Sequence, residues 1–474
     1  MQHFDFPSLL PPLIAIALAL IFRQVLLALV VGVLLGSTIY YGWDPLEGAL
    51  RMLDTYFLNA LADRDHAAIV MFSMILGGMV GIISRCGGSA GIVRWISRYA
   101  ANPRGGMFAT YLMGLLIFFD DYANTLIVGN TMRPFSDRLK ISREKLSYIV
   151  DSTSAPIASI AVISTWVGFE MGLIADAFES LNIDRNIYFT FLQTIPYRFY
   201  CIFALLMVPI IALTGRDFGP MLTAERRARS TGKVLRDGAT PLMEEVSEAE
   251  THVSSAWNAL LPIIAVILAT GLGLYFDGLS KAGAAPLHIV IGEADSFSAL
   301  MWAAFTGAVT AMILSSINSP LSFGKTLEAF VSGVKSMVMA MMILVLAWSL
   351  GQVCDDLGTA YYVAGLTEGV VQPWLLPALI CVISAFISFA TGTSWGTMAI
   401  LTPLTIQVTY TLIGGEVEVH WHTMLSSIGS VLAGSIFGDH CSPISDTTIM
   451  SSMTTGADHI DHVRTQMPYA LALA

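Results

Sequence analysis

Long apolar blocks follow one another along the chain and are separated by short polar segments. A block of roughly 17–25 apolar residues is long enough to cross a bilayer as a helix. Two regions, 106–166 and 372–455, mix apolar runs with polar residues and prolines. The remaining blocks predict single spans at residues 7–22, 24–41, 67–84, 191–214, 257–276, 298–317 and 336–350. The pattern therefore predicts an all-α polytopic membrane protein.

The composition supports this class. Of the 474 residues, 55% are hydrophobic and 12% are charged, whereas soluble domains carry about 25% charged residues. Soluble enzymes, nucleic-acid-binding proteins and disordered chains are therefore excluded, and no nucleic-acid partner is expected. The net charge of −11 says little about partners, because topology distributes it. The cysteines show no paired spacing, so neither a disulfide framework nor a cysteine metal site is indicated. The N-terminus lacks a basic leader, which makes 7–22 a retained span.

Basic residues indicate how the first complex region is threaded. Lysine and arginine accumulate in cytoplasmic loops. Three segments that are rich in these residues are predicted to be cytoplasmic, and they are 85–105, 132–145 and 216–236. Because two of them flank residues 106–131, that segment must return to the side from which it came. We predict a re-entrant hairpin over 106–131 with its tip near Asp120–Thr125.

The second complex region shows the opposite charge pattern. Residues 351–371 and 410–423 carry acidic residues but no lysine or arginine, so both are predicted to be external. The segment between them is therefore a second hairpin, 372–409, which dips in from outside. Residues 215–256 form the longest polar stretch and are predicted to be a cytoplasmic linker.

An internal repeat connects the two regions. At an offset near 270 residues, glycines and prolines of the first half fall on those of the second: Gly81 on Gly351, Gly88 on Gly358, and Pro134 on Pro403. Corresponding spans start on opposite sides, so residues 1–214 and 257–474 are predicted to be inverted repeats, which is a transporter architecture. QTIPY (193–197) resembles TQMPY (465–469), and only five residues follow the latter. A last span from residue 466 is therefore expected to be truncated.

Each half also carries a polar segment that contains a proline. Pro156 lies in 146–166 and Pro443 in 424–455, and both are predicted to break a helix. Carbonyls freed at membrane depth must be satisfied by side chains, water or an ion. Sodium suits such sites by the hard-oxygen preference that governs calcium and magnesium. Ionised groups in the membrane cost about 2.5–3.5 kcal/mol each, so the acidic residues here indicate a hydrated or ion-bearing interior.

A carboxylate that can hold either a proton or sodium, but not both, is sufficient for antiport at one site. Several polar residues have alternative roles, because they can cap helices or satisfy freed backbone groups. GTSWG (392–396) fits the GxSxG pattern of serine hydrolases, with Ser394 as nucleophile and His440 as base. A passive channel is a further alternative. No HExxH motif supports zinc at His440, and no cofactor is predicted.

Three segments carry a family resemblance, namely FFDDYANTLIVGNTMRP, DSTSAPIAS and GDHCSPISDTT. They resemble the NhaC-type sodium/proton antiporters of the ion transporter superfamily, from about residue 67 to the end. The resemblance implies two inverted repeats, a scaffold domain and a mobile transport domain that works as an elevator, and a homodimer. Members include carriers of organic acids or amino acids. The alternative function is therefore sodium- or proton-coupled transport of a small carboxylate or amino acid.

We predict exchange of cytoplasmic sodium for external protons across a bacterial inner membrane. Two half-sites are expected to bind the ions. The predicted residues are Asp120, Asp121, Asn124, Thr125, Asp151 and Ser154 in the first half, and Thr393, Ser394, Asp439, His440, Ser442, Asp446 and Thr447 in the second. Sodium is expected at the carboxylates of Asp120, Asp151, Asp439 and Asp446.

Overall fold

A computed structural model describes most of the chain. The described residues are 5–22, 25–88, 91, 102–118, 121–241, 255–283, 290, 293–318, 321–359, 362, 372–443 and 445–474. Within these ranges the regular structure is entirely helical. Five helices are long and apolar enough to cross a membrane, and there are up to seven such spans if each of two bent helix pairs counts as one. The prediction of an all-α membrane protein is confirmed.

The helices of the first half are short in the polar regions and long in the apolar ones. They are α1 (Leu10–Phe22), α2 (Val25–Tyr40), α3 (Pro45–Arg51), α4 (Leu58–Ala62), α5 (Arg64–Arg85), α6 (Pro103–Leu116), α7 (Asp121–Arg138), α8 (Arg143–Ser152), α9 (Ala155–Ile160), α10 (Thr165–Ser180), α11 (Ile187–Thr194) and α12 (Phe199–Thr214). The sequence predicts a single span at 191–214, but the structure has two helices there, α11 and α12. A 3₁₀ turn that contains Pro196 separates them, because proline cannot continue the preceding helix.

In the linker and the second half, too, the long helices lie in the apolar regions. Their helices are α13 (Gly219–Thr231), α14 (Trp257–Ala282), α15 (Ser296–Asn318), α16 (Phe323–Leu357), α17 (Leu376–Thr391), α18 (Ser394–Leu412), α19 (Trp421–Cys441), α20 (Asp446–Thr455) and α21 (His459–Leu471). Helix α16 is much longer than the expected 336–350, because Ser322 caps its start and Gly358 ends it in the left-handed conformation. Helix α21 begins at His459 rather than at 466, because the Asp458 side chain caps it.

Helix breaks fall inside both predicted hairpins. Helices α6 and α7 pack against each other and are separated by residues 117–120, and α17 and α18 are separated by Gly392 and Thr393. Gly392 has a φ of 72°, which favours glycine, and the Thr393 side chain accepts a hydrogen bond from Gly396 N. That each hairpin returns to one face of the membrane stays a prediction.

Both proline segments interrupt helices. In the first half, Thr153 and Ser154 separate α8 from α9, and Pro156 lies in the first turn of α9. In the second half, Ser442, Pro443 and Ser445 lie between α19 and α20. The expected broken helices are present. The inverted relation of the two halves, and the elevator motion, stay predictions.

The two halves interlock around these breaks. Helix α20 packs on α7 and α8, α21 packs on α8, α18 packs on α10, and α19 packs on α12. Close contacts between the halves require small residues, and a Cβ on Gly129 of α7 would lie 2.1 Å from Thr454 Oγ1 of α20. Polar segments from both halves therefore meet in one interior region.

The described part of the linker, up to residue 241, is tied to the same helices by charged contacts. Buried Lys145 of α8 pairs with Asp217, and Arg227 pairs with Glu144 at 2.9 Å. Arg236 pairs with Asp461 of α21. The linker thus contacts α8 and α21. Other residues of these two helices belong to an interior polar cluster.

Candidate functional site

Asp151 occupies the last turn of α8 and is buried. Its carboxylate contacts four side chains of the second half, and these are Thr448 Oγ1 at 3.3 Å, Ser451 Oγ at 3.2 Å, His462 Nε2 at 3.3 Å and Gln466 Nε2 at 2.5 Å. Two hydroxyls, an amide and an imidazole surround both carboxylate oxygens. Hydrogen bonds to a charged acceptor are among the stronger ones in proteins, so this cluster ties α8 to α20 and α21.

Asp439, in the last turn of α19, has fewer polar contacts than Asp151. It is 3% exposed. Its Oδ2 lies 3.4 Å from both Ser394 Oγ and Thr447 Oγ1. Its Oδ1 is buried and has no hydrogen-bond partner among the residues that the structure describes. A buried carboxylate without full compensation is costly, and a proton or a cation on this oxygen would offset the cost.

His440 directly follows Asp439 in the chain, and its side chain contacts the cluster around Asp151. Its Nδ1 is hydrogen-bonded to Tyr200 Oη, and its Nε2 lies 3.3 Å from Ser152 Oγ and 3.8 Å from Asp151 Oδ2. Its carbonyl accepts a hydrogen bond from Gln466 Nε2 at 2.7 Å. The imidazole therefore joins α8, α12 and α19, and the Gln466 side chain bridges Asp151 and the His440 backbone.

Several predicted ligands satisfy backbone groups at the breaks. The Asn124 amide donates to the carbonyls of Gly114, Ile117 and Thr153 at 2.7–3.1 Å. The hydroxyl of Ser154 donates to the Asp151 carbonyl at 2.8 Å. In the same way Thr125 donates to the Asp121 carbonyl, and Ser442 donates to the Phe389 carbonyl. These side chains stabilise the interrupted helices, and their oxygens keep lone pairs that can accept or coordinate.

The remaining predicted acids differ in exposure. Asp121 is the first residue of α7 and is buried. Asp446 is the first residue of α20, is exposed, and has Tyr122 Oη 3.4 Å from its Oδ2. Acids at these positions also stabilise helix N-termini. Asp120 lies outside the described residues. Within the described ranges no three acidic, histidine or cysteine side chains come close enough to share a metal ion.

The sequence analysis missed part of the Asp151 cluster. Thr448, Ser451, His462, Gln466 and Tyr200 were not among the predicted site residues, although all are buried. A signal was present in α21, where His462 and Gln466 lie four residues apart and share one face of the helix.

The hydrolase hypothesis requires Ser394 and His440 to face each other. Instead, Ser394 Oγ faces Asp439, while the imidazole of His440 contacts Ser152 and Tyr200. Serine hydrolysis needs the base within hydrogen-bonding reach of the nucleophile, and this geometry provides a serine–carboxylate contact instead.

Comparison with known proteins decides the class. A family model described as the Na+/H+ antiporter family matches residues 157–474. The chain belongs to this family. A Haemophilus influenzae protein named "Uncharacterized protein" is 30% identical over 486 residues, which cover 100% of this chain and 90% of that protein. The resemblance to sodium/proton antiporters is therefore confirmed.

Other relatives are similar to this chain over shorter stretches. An "Uncharacterized Na(+)/H(+) antiporter" of Haemophilus influenzae is 27% identical over 45% of this chain and 40% of its own length. The "Malate-2H(+)/Na(+)-lactate antiporter" of Bacillus subtilis is 30% identical over 35% of this chain and 33% of its own length.

Two solved structures share the fold. The YdaH transporter of Alcanivorax borkumensis superposes with a TM-score of 0.63 at 16% identity, covering 90% of this chain and 86% of that one. MtrF of Neisseria gonorrhoeae gives 0.56 at 12% identity, covering 100% and 93%. The family member described here is thus a multi-pass membrane transporter and not an enzyme.

Proposed function

We propose that this transporter exchanges sodium for protons at a site centred on Asp439. The observation that carries the proposal is the buried Asp439 Oδ1, which lacks a hydrogen-bond partner among the described residues, while two hydroxyls lie 3.4 Å from the neighbouring oxygen. Hard cations prefer carboxylate, hydroxyl and carbonyl oxygens. The hydroxyls of Ser394 and Thr447 belong to this set of oxygen ligands.

A single carboxylate can couple the two ions. A protonated Asp439 has no charge to attract sodium, and a sodium ion on Asp439 disfavours protonation. Each ion therefore leaves when the other binds. If the two forms open to opposite sides of the membrane, one site suffices for antiport.

Asp151 has a different role in this proposal. Its carboxylate is surrounded by donors from α20 and α21, so it holds the two halves together and positions the neighbouring His440. Asp121 and the exposed Asp446 contribute negative charge near the path of the cation. The hydroxyls of Thr125, Ser154, Thr393 and Ser442 support the breaks that shape the site.

The proposed orientation in the membrane and the proposed dimer are supported by the family resemblance and by the distribution of basic residues. We propose that cytoplasmic sodium leaves in exchange for external protons across a bacterial inner membrane. The linker 215–256 then faces the cytoplasm, and the protein works as an elevator-type homodimer. The basic segments around 132–145 and 216–236 support this orientation.

The test uses proteoliposomes that contain the full-length protein and a pH-sensitive dye. Sodium pulses should change the luminal pH in the wild type. Asp439→Asn should abolish the response, whereas Asp446→Asn, seven residues away and exposed, should retain it. A full response in Asp439→Asn would show that the exchange occurs elsewhere.

A second candidate function has a specific basis in the relatives. One is named a malate/lactate antiporter, and another, from Halobacterium salinarum, is the "Arginine/ornithine antiporter ArcD", which is 25% identical over 44% of this chain and 38% of its own length. The alternative is therefore sodium- or proton-coupled transport of a small carboxylate or amino acid. It predicts a dye response only when the organic solute is present.

A further inference from the structure

A second polar cavity lies away from the interior cluster. Its volume is about 270 Å³, and it opens between the start of α5, the end of α10 and the end of α16. The side chains that matter for the argument are Asp63, His66, Asp176, Glu179, Trp348 and Asp355. Asp355 is hydrogen-bonded to Gln407 of α18. Because Gln407 follows Ser394 by 13 residues on one helix, the cavity lies about 20 Å along α18 from the candidate ion site.

His66 forms one wall of this cavity and is held rigidly. Its ring lies flat on the indole of Trp348, with centroids 3.6 Å apart and planes 2° from parallel. Its Nδ1 lies 2.9 Å from the Ala60 carbonyl. A carbonyl can only accept, so Nδ1 carries a proton in this contact. In the neutral ring, Nε2 is then an acceptor with an outward-facing lone pair.

That lone pair faces another acceptor. His66 Nε2 is 3.7 Å from Asp176 Oδ1, while the His66 side chain is only 9% exposed. No hydrogen bond to Nε2 is formed by the described residues. Gly351 makes room for the carboxylate, since a Cβ there would lie 3.0 Å from Asp176 Oδ2. Two acceptors that face each other repel unless a positive charge or a proton lies between them.

The other charged side chains that line the cavity, among the residues that the structure describes, are negative. Asp63 caps α5 and accepts from His66 N at 2.9 Å, Glu179 is on the same helix as Asp176, and Asp355 is on α16. Arg64 is directed to Asp295 at 3.7 Å and is largely exposed. No three potential metal ligands among the described residues converge here, so a bare metal ion is not the matching ligand. A single proton on either atom of the pair removes the repulsion between the two acceptors.

We propose that His66 and Asp176 form a second proton-binding site, in which the pair holds one proton, on Nε2 or on Oδ1. The two groups titrate as a unit. Asp355, which lines the cavity, lies in the acidic segment 351–371, so the site belongs to the face that the charge pattern predicts to be external. Losing the proton leaves the His66 lone pair facing the Asp176 carboxylate in a cavity that three further acidic residues line, which should loosen the start of α5 from α10.

Trp348 supplies the spectroscopic probe. The difference between the fluorescence pH titrations of the wild type and Trp348→Phe, both full-length in detergent, isolates the indole that stacks on His66. We expect one titration step in this difference curve. For His66→Gln and for Asp176→Asn, the difference curve is measured against the double variant that also carries Trp348→Phe. The titration step should be absent from both difference curves. It should persist in His420→Gln, which removes a histidine outside the cavity.

The inference does not depend on Asp439, and the same titration separates the two proposals. Asp439→Asn should keep the Trp348 step even if it abolishes exchange. In proteoliposomes, Asp176→Asn should move the external pH of half-maximal exchange by about one unit and leave the dependence on luminal pH unchanged. A flat difference curve in the wild type, or a step that survives in both His66→Gln and Asp176→Asn, would overturn the proposal.

Discussion

Asp151 and Asp439 resemble each other in sequence and differ in surroundings. Each lies in the last turn of a helix, shortly before a proline that helps to break it. Asp151 contacts four polar side chains, whereas Asp439 has two long contacts at 3.4 Å and one oxygen without a partner among the described residues. A carboxylate that the protein already satisfies organises structure, and one that it leaves under-satisfied is available for an ion.

The magnitudes support this division. Burying a charge without compensation costs several kcal/mol, whereas hydrogen bonds to a charged group contribute about 1.5–3 kcal/mol each. The cluster at Asp151 can offset its desolvation. At Asp439 the offset must come from a bound cation or from protonation, and this is the property that an exchanger needs.

The largest expected effect is on sodium binding by Asp439→Asn. Removing the charge should weaken sodium affinity by at least about 100-fold, equivalent to about 3 kcal/mol. Equilibrium binding of radioactive sodium to the purified protein measures this directly. Asp446→Asn is the matched control, and equal losses in both variants would contradict the distinction between the two acids.

Asp151→Asn should act first on stability. An asparagine keeps one acceptor oxygen but replaces the other with an NH₂ group, which cannot accept a hydrogen bond from the donors around it. We therefore expect the free energy of unfolding to fall by about 2–4 kcal/mol. Thermal unfolding in detergent checks this, with Asp184→Asn as a control that makes the same substitution at an exposed position. An unchanged unfolding temperature would show that the cluster does not hold the halves together.

Ser394→Ala should have a moderate effect. The hydroxyl 3.4 Å from Asp439 is one of several oxygens, so sodium affinity should fall about 3- to 10-fold while exchange persists. Ser427→Ala removes a buried hydroxyl elsewhere on α19 and should leave the affinity unchanged. Complete loss of function in Ser394→Ala alone would instead favour an essential chemical role for this serine.

Asp446→Asn should have the smallest effect. The side chain is exposed and has one 3.4 Å contact, with Tyr122, so a change below about twofold in sodium affinity is expected at physiological salt. The salt dependence of sodium uptake provides the measurement. A loss as large as that in Asp439→Asn would place Asp446 inside the ion site.

Much of the architecture could be predicted from the sequence because the bilayer imposes simple rules. Apolar length gave the spans, and the prolines at 156 and 443 marked the interrupted helices. The limits of α16 and α21 depended on caps at Ser322 and Asp458, which an apolar run does not reveal. A cap is a single residue, so it does not change the pattern of hydrophobic positions from which the helices were predicted.

The site was harder to predict because its contacts join distant parts of the chain. Asp151 and Asp439 were identifiable as costly charges in apolar surroundings. Their different roles depend on His462 and Gln466, which approach Asp151 from more than 300 residues away. Asn124 was predicted as a ligand, and this stays a prediction, because its NH₂ group contacts three backbone carbonyls while its Oδ1 has no hydrogen-bond partner among the described residues. Side-chain type could not distinguish these uses.

The most direct measurement compares sodium binding to Asp439→Asn and to Asp151→Asn, each purified as folded protein at a pH where the wild type binds sodium. The account predicts that binding is lost in Asp439→Asn and retained within about tenfold in folded Asp151→Asn. Retained binding in Asp439→Asn together with loss in Asp151→Asn would contradict it.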